Sequence, residues 1–293
     1  LYLHAGQEPV QPLLLGLQHD SSAVDASTML IHRFTVQLAP HTTWTSPFVR
    51  LRIGQSLGES IAALRSDNGL DRFPSLHQKL GTLFAQVAQA PLYKADVRQL
   101  NLPFTQYPTL LARVPTPGIL HLVAYQLGGH DVGYPDFLPP DATWGTTEEM
   151  ATLFRQAQGS GFLVMPYINP VWWDPDSPTL QNLPAPLTLR DVVASAGPGL
   201  LNEQQYSGRS GYMVSPAAPF VQERLQRLFQ AFTTTLPSNL MFEDQIGAHP
   251  WQIDDNRFSP SPTAFAQGWL DHTRTYSNTL LMTENGFDRL AET

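Results

Sequence analysis

From Pro117-Gly118 onward the chain repeats one rhythm of strand, loop and helix, and no other feature restricts its fold as much. Strands joined through helices run parallel, because a parallel pair needs a long crossover connection. The spacing predicts strands over Ile119 to Gln126, Phe162 to Asn169, Gly211 to Ser215, Leu240 to Asp244 and Leu280 to Glu284. Helices are predicted from Thr147 to Gln158, from Pro219 to Thr234 and from Pro262 to Tyr276. Thr146 or Thr147 caps the first, Glu148 and Glu149 suit its opening turn, and Gly159 and Gly161 stop it. The second carries the stripe Val221, Leu225, Leu228, Phe229, Phe232 and opens on a proline. An irregular insertion from Pro178 to Ser210 holds one short helical candidate, Leu187 to Ala196. The fold class expected is α/β, a (β/α)8 TIM-barrel type of which about five units are present.

Upstream the pattern changes. Residues Met29 to Gln55 read as strands, with Phe48-Val-Arg-Leu-Arg-Ile53 alternating cleanly, as at the end of a β-sandwich. Helical spacing follows from Leu57 to Lys94, and Leu92 to Val114 is extended, a hairpin leading into the next unit. The domains expected are therefore 1–57 as the end of a β-sandwich, 58–115 as a helical connector and extended segment, and 116–293 as a partial barrel. The chain begins at Leu1 and ends in what reads as a helix cut in its first turns, so a fragment lacking both ends is expected.

Composition narrows the function. Of the 293 residues, 42% are hydrophobic and 10% aromatic, enough for a sizeable core, while charged residues make up only 14% against roughly 25% in average domains. A formal charge of -8 and the lack of any Lys/Arg run argue against a nucleic-acid partner. With no cysteine, disulfides, thiolate nucleophiles and cysteine-ligated metals are excluded, and the balance leans towards an extracellular or periplasmic protein. No run approaches the roughly 18 apolar residues of a membrane span.

Two acids end two of the strands. In Leu240-Met-Phe-Glu-Asp244 and Leu280-Leu-Met-Thr-Glu284, alternation puts Asp244 on the face of Leu240 and Phe242, and Glu284 on that of Leu280 and Met282. Each carboxylate therefore ends an inward apolar row at the carboxyl-terminal rim, where barrel enzymes react. Paired carboxylates about 5 Å apart point to retaining glycoside hydrolysis: Asp244 as nucleophile and Glu284 as acid/base, or the reverse. The competing reading makes one a loop cap and the other a surface acid. Glu243 competes for the nucleophile's role, but it shares a face with Met241 and should look to the helix layer, where it would need a partner.

Around this pair, Gly128-Gly-His-Asp131 either directs His130 and Asp131 at sugar hydroxyls or forms a plain turn. Trp172, Trp173 and Trp251 fall in strand-end loops, where indoles stack on pyranose faces, although large aromatics are more often core. Tyr167, Asn169, Gln245 and His249 are further substrate-binding candidates. No His-Glu-x-x-His motif, phosphate loop or serine elbow occurs, so neither a metal nor a cofactor is expected.

Taken together, Gly128-Gly-His-Asp131 with Tyr134-Pro-Asp136, Val164-Met-Pro-Tyr167 with Trp172-Trp-Asp174, Phe242-Glu-Asp-Gln-Ile-Gly247 and Thr283-Glu-Asn-Gly286 carry a resemblance. From about Gly118 to Thr293 the chain resembles a bacterial group of barrel proteins related to the endo-α-N-acetylgalactosaminidase family of glycoside hydrolases. The resemblance implies a β-sandwich before the barrel, a nucleophilic Asp ending strand four and an acid/base Glu ending strand five, which map onto Asp244 and Glu284. Two function classes follow. One is a retaining glycosidase acting on an oligosaccharide or glycoconjugate without cofactor; the alternative is a non-catalytic carbohydrate-binding or scaffold protein of the same fold. A lyase or transglycosylase would use the same acids.

Overall fold

The computed structural model describes residues 2–4, 13–19, 28–34, 40–41, 43–45, 48–50, 53–194, 203–206, 208–248, 252–261, 264–286 and 288–292. The chain opens with four strands, β1 (Tyr2–His4), β2 (Leu13–His19), β3 (Thr28–Phe34) and β4 (Phe48–Arg50). β1 pairs antiparallel with β4, and β2 with β3. Three helices follow: α1 (Leu57–Asp67), α2 (Leu76–Leu80) and α3 (Phe84–Gln89). The first two begin in capping boxes, Ser56 with Glu59 and Ser75 with Gln78, each satisfying two otherwise orphaned backbone donors.

A parallel sheet then starts earlier than the sequence pattern implied. Leu92–Asp96 forms β5, not one arm of a hairpin, and pairs parallel with β6 (Ile119–Val123). Between them lie α4 (Val97–Leu100), capped by the Asp96 side chain, and α5 (Tyr107–Leu111). Next come α6 (Thr147–Gly159), β7 (Leu163–Ile168), β8 (Trp172–Trp173), α7 (Pro178–Gln181), β9 (Glu203–Tyr206) and β10 (Arg209–Met213). The chain continues through α8 (Pro219–Thr234), β11 (Leu240–Glu243), α9 (Phe265–Thr275) and β12 (Leu280–Thr283).

The central sheet has the order β12-β11-β7-β6-β5, parallel throughout, with β5 and β12 as its edges among the described residues. Strand 211–215, expected as a barrel strand, is instead β10, antiparallel between β8 and β9 in a separate small sheet. Local alternation identifies a strand but not the sheet it joins. The helical candidate at Leu187 to Ala196 is a 3-10 turn, Leu189–Asp191, and its last two residues lie outside the described ones.

The two faces of the sheet separate as alternation requires. Ile119, Leu163, Met165 and Leu240 cluster on one side with Phe242, Leu280 and Met282. Leu120, Leu122, Val164, Ile168 and Met241 face the other way, into the large core built with α6, α8 and α9. Helix α8 buries Val221, Leu225, Leu228, Phe229 and Phe232, the stripe read from the sequence. Thr146 caps α6 in a box with Glu149. No helix among the described residues is long and apolar enough to cross a membrane.

Candidate active site

Register places the site. Phe242 pairs with Tyr167 and Met282, and Glu243 with Ile168 and Thr283, so one residue further along Asn169, Asp244 and Glu284 form a single row across three adjacent strands. The row lies at the carboxyl ends of the strands, on the face of Phe242. The backbone N–H of Asp244 still donates to Ile168 O at 2.8 Å, holding it to the ladder. Glu243 turns the opposite way. It is 1% exposed, and its Oε1 lies 2.6 Å from Nε2 of His272 on α9, the partner the sequence did not identify.

Asp244 is buried and Glu284 exposed. Tyr167 donates its hydroxyl proton to Asp244 Oδ2 at 2.6 Å, and Asn169 Nδ2 donates to the same oxygen at 3.5 Å. Asn169 is itself fixed, its Oδ1 accepting from the backbone N–H groups of Val171 and Trp172 at 3.1 and 3.0 Å. Burial is the largest influence on Asp244 and raises its pKa to about 6; the Tyr167 bond opposes this, and the charge of Glu284 together with a hydrogen bond between the two carboxyls adds to it. The two acids are thus near enough to influence each other's titration. Burial drives the pKa of Tyr167 far above its ordinary value, so its hydroxyl keeps its proton and stays a donor.

A second tyrosine lies beside the first. Tyr134 Oη accepts the backbone N–H of Asp131 at 2.8 Å, and its ring lies 6.0 Å from that of Tyr167. Tyr134 stood in the sequence motif, but nothing local distinguished it from a core tyrosine. His121, inward on β6, was also missed: burial lowers its pKa to about 4, so it is neutral, with Nδ1 3.2 Å from Met165 O.

His130 and Asp131 do reach this site. The His130 ring lies 4.8 Å from that of Tyr167, and His130 Nε2 is 3.7 Å from Asp131 Oδ1. The turn that brings them there has positive φ at Gly128, Gly129 and Asp131. Gln245, φ 67°, is buried beside Asp244 in sequence. Among the described residues, His130 Nδ1, Asp131 Oδ1 and both amide atoms of Gln245 are buried without a hydrogen-bond partner. Such groups are costly unless something pairs with them. Gly247 follows, and a Cβ there would sit 2.5 Å from Glu284 O, so only glycine lets the β11 loop pass this close behind the second acid.

Trp172 and Trp173 are corrected. They form β8, not an open loop, and are 1% and 0% exposed, so neither presents a ring to a sugar. β10 pairs antiparallel with β8, its Gly211 lies against the Trp172 ring, and Trp173 meets Phe220 of α8. Trp172 meets the Tyr134 ring edge-on at 6.1 Å, and Trp173 Nε1 donates to Pro170 O at 3.1 Å. His249 and Trp251 lie outside the described residues. Among the described residues no group of three His, Asp or Glu side chains is arranged to hold a metal ion.

No protein-family model matches this sequence, and no curated protein matches it. Solved structures do. The chain is similar to the α-N-acetylgalactosaminidase NagBb from Bifidobacterium bifidum in its GalNAc complex, with a TM-score of 0.61, 14% identity, and coverage of 80% of this chain and 40% of that one. The Gal-NHAc-DNJ complex of the same enzyme gives 0.60 at 15% identity, again over 80% and 40%. TtGalA, an α-galactosidase from Thermus thermophilus, gives 0.49 at 14% identity, over 69% and 39%. Over the covered part the chain therefore shares the fold of NagBb. The chain spans about 40% of the length of NagBb.

The tyrosine contact is open to test. Tyr167→Phe removes the shorter of the two side-chain hydrogen bonds to Asp244, the one that lowers its pKa, so that group is expected to titrate above about 6, by roughly one unit. An Asp244 that must be ionised loses activity as pH falls through its pKa. The acid limb of a kcat/KM profile should accordingly move to higher pH in Tyr167→Phe, and an unmoved limb would dissociate Tyr167 from Asp244.

Proposed function

We propose that this chain carries the catalytic carboxylates of a retaining glycoside hydrolase, with its parallel sheet forming five strands of a (β/α)8 barrel. Asp244 is the nucleophile and Glu284 the acid/base. One observation carries the reading: two carboxyls in one row at the carboxyl ends of adjacent parallel strands, near enough for Glu284 to raise the Asp244 pKa, one buried and one exposed. The assignment of roles follows from their surroundings. Two donors converge on Asp244 Oδ2, which suits an oxygen without a proton, and above pH 6 the carboxyl is ionised despite its burial. The exposed Glu284 is reachable by a leaving group and then by water, as a group that first gives and later takes a proton must be.

The substrate this arrangement favours is an uncharged glycosyl unit of an oligosaccharide or glycoconjugate. Asp131, Asp244 and Glu284 contribute three carboxyls, so a uronic, sialyl or sulfated unit would meet like charge. Sugar hydroxyls instead donate to acceptors such as Asp131 Oδ1 and Gln245 Oε1, both without a hydrogen-bond partner among the described residues. The chemistry needs no cofactor.

Glu284→Gln tests the assignment. With activated dinitrophenyl glycosides of neutral sugars, which leave without protonation, glycosyl-enzyme should form and then hydrolyse slowly. Azide, which attacks without needing a base, should restore turnover by about 10²-fold and yield a glycosyl azide of retained configuration. Turnover by the wild type combined with no azide effect would remove Glu284 from the acid/base role.

A further inference from the structure

Glu243 and Asp244 are neighbours in the chain whose side chains leave opposite faces of the sheet. Asp244 meets Tyr167 on the site face, while Glu243 enters the helix layer and meets His272 at 2.6 Å. His272 lies on α9, the helix that carries the chain from β11 to β12 and so from Asp244 to Glu284. Its ring is enclosed by three others: Phe229 at 5.7 Å, Trp269 at 5.4 Å and Tyr276 at 4.9 Å. A ring packed on three sides has little freedom to leave its rotamer. His272 is therefore a fixed point, and Glu243 is anchored to it one peptide away from the candidate nucleophile.

We propose that His272, through its hydrogen bond to Glu243, is a positioning residue that holds the end of β11 so that the Asp244 carboxyl meets the Tyr167 hydroxyl. Naming Asp244 as the reacting group rests on the glycosidase reading; the mechanical coupling does not. The arrangement has a chemical logic. Asp244 must present one oxygen to Tyr167 and the other to a sugar carbon, and a displacement of about 1 Å in such a group costs on the order of 10²-fold in rate. Helix α9 lies on the side of the sheet away from the substrate, so it can hold the strand without occupying the pocket. The competing account is that His272 merely pairs a buried acid and stabilises the fold.

The two accounts differ in what happens at Asp244. In His272→Ala, the 13C-carboxyl resonance of Asp244, assigned by its loss in Asp244→Asn, should titrate about one unit above its wild-type midpoint, because the Tyr167 donation that lowers it is lost. His272→Gln, whose amide can still donate to Glu243, should return the midpoint most of the way to the wild-type value. Should the alanine variant fail to fold, Glu243→Met with His272→Phe removes the hydrogen bond without leaving a buried charge, and the same upward shift is expected there. Where the wild type turns over a dinitrophenyl glycoside, kcat should fall at least tenfold in the variants that lack the bond, with KM nearly constant. A lowered melting temperature with an unmoved Asp244 midpoint would overturn the proposal and leave His272 a stabilising role. A wild type without turnover would instead count against the glycosidase reading, and the Asp244 titration would still decide the positioning role.

Discussion

Asp244→Asn is expected to lower turnover by about 10⁴-fold or more, equivalent to roughly 5.5 kcal/mol of transition-state stabilisation, while affinity for a neutral sugar changes little. The amide keeps the shape and can still accept from Tyr167, but it cannot form the glycosyl ester on which a retaining mechanism depends. Stability should move the other way. The folded pKa of Asp244, about 6, lies above its ordinary 3.8, so the native state holds a proton between these values that the unfolded chain has lost. Stability contributed by this group is greatest below about pH 4 and falls as pH rises to 6. At neutral pH the ionised carboxyl therefore costs the fold on the order of 2 kcal/mol, which the asparagine avoids. The variant should melt higher than wild type at pH 7 and equally at pH 4. Glycoside kinetics and calorimetry at the two pH values check both halves. An Asp244→Asn protein that hydrolyses glycosides at the wild-type rate would end the nucleophile assignment.

Trp172→Ala is the largest stability loss expected. The side chain is 1% exposed, its ring lies over Gly211 of β10, and its edge-to-face partner is Tyr134. Removing such a residue costs about 3–5 kcal/mol, or about 10 °C in melting temperature for a chain of this size. The effect should reach the site, since Tyr134 accepts the Asp131 N–H and lies beside Tyr167. The indole also explains the glycine beneath it. A Cβ on residue 211 would fall 2.0 Å from Trp172 Cε2, so Gly211→Ala should destabilise by displacing the ring. The double variant then carries a diagnostic sign: once the ring is gone the added methyl occupies freed space, and Gly211→Ala in the Trp172→Ala background should be neutral or mildly stabilising. Additive losses in thermal melts would show that the two residues do not share this contact.

Much of the site was legible because strand alternation is a local property. The run Leu240 to Asp244 needs only its own residues to show that Phe242 and Asp244 share a face and that Glu243 does not, and the burial of Glu243 in the helix layer agrees. The bounds of α6 and α8 followed from Thr146 with Glu149 and from Pro219 with its apolar stripe, signals contained within a few residues. Leu92–Asp96 escaped because Leu-Tyr-Lys-Ala-Asp has too few apolar residues to read as a buried strand; its place comes from β6, more than twenty residues later. Strand β10 was recognised as a strand and assigned to the wrong sheet for the same reason, and the burial of Trp172 and Trp173 went with it.

The sequence by itself determined most of the strands and long helices after Pro117 and which face each acid would take, since backbone periodicity and capping are settled between residues a few positions apart. Only the tertiary structure decided who meets whom. It supplied His272 to Glu243, placed Tyr167 and Asn169 on Asp244, set Tyr134 beside Tyr167, and laid the Trp172 ring over Gly211 of β10. These partners lie tens of residues apart, and a hydrogen bond or a buried ring depends on distance in space, which local pattern does not encode.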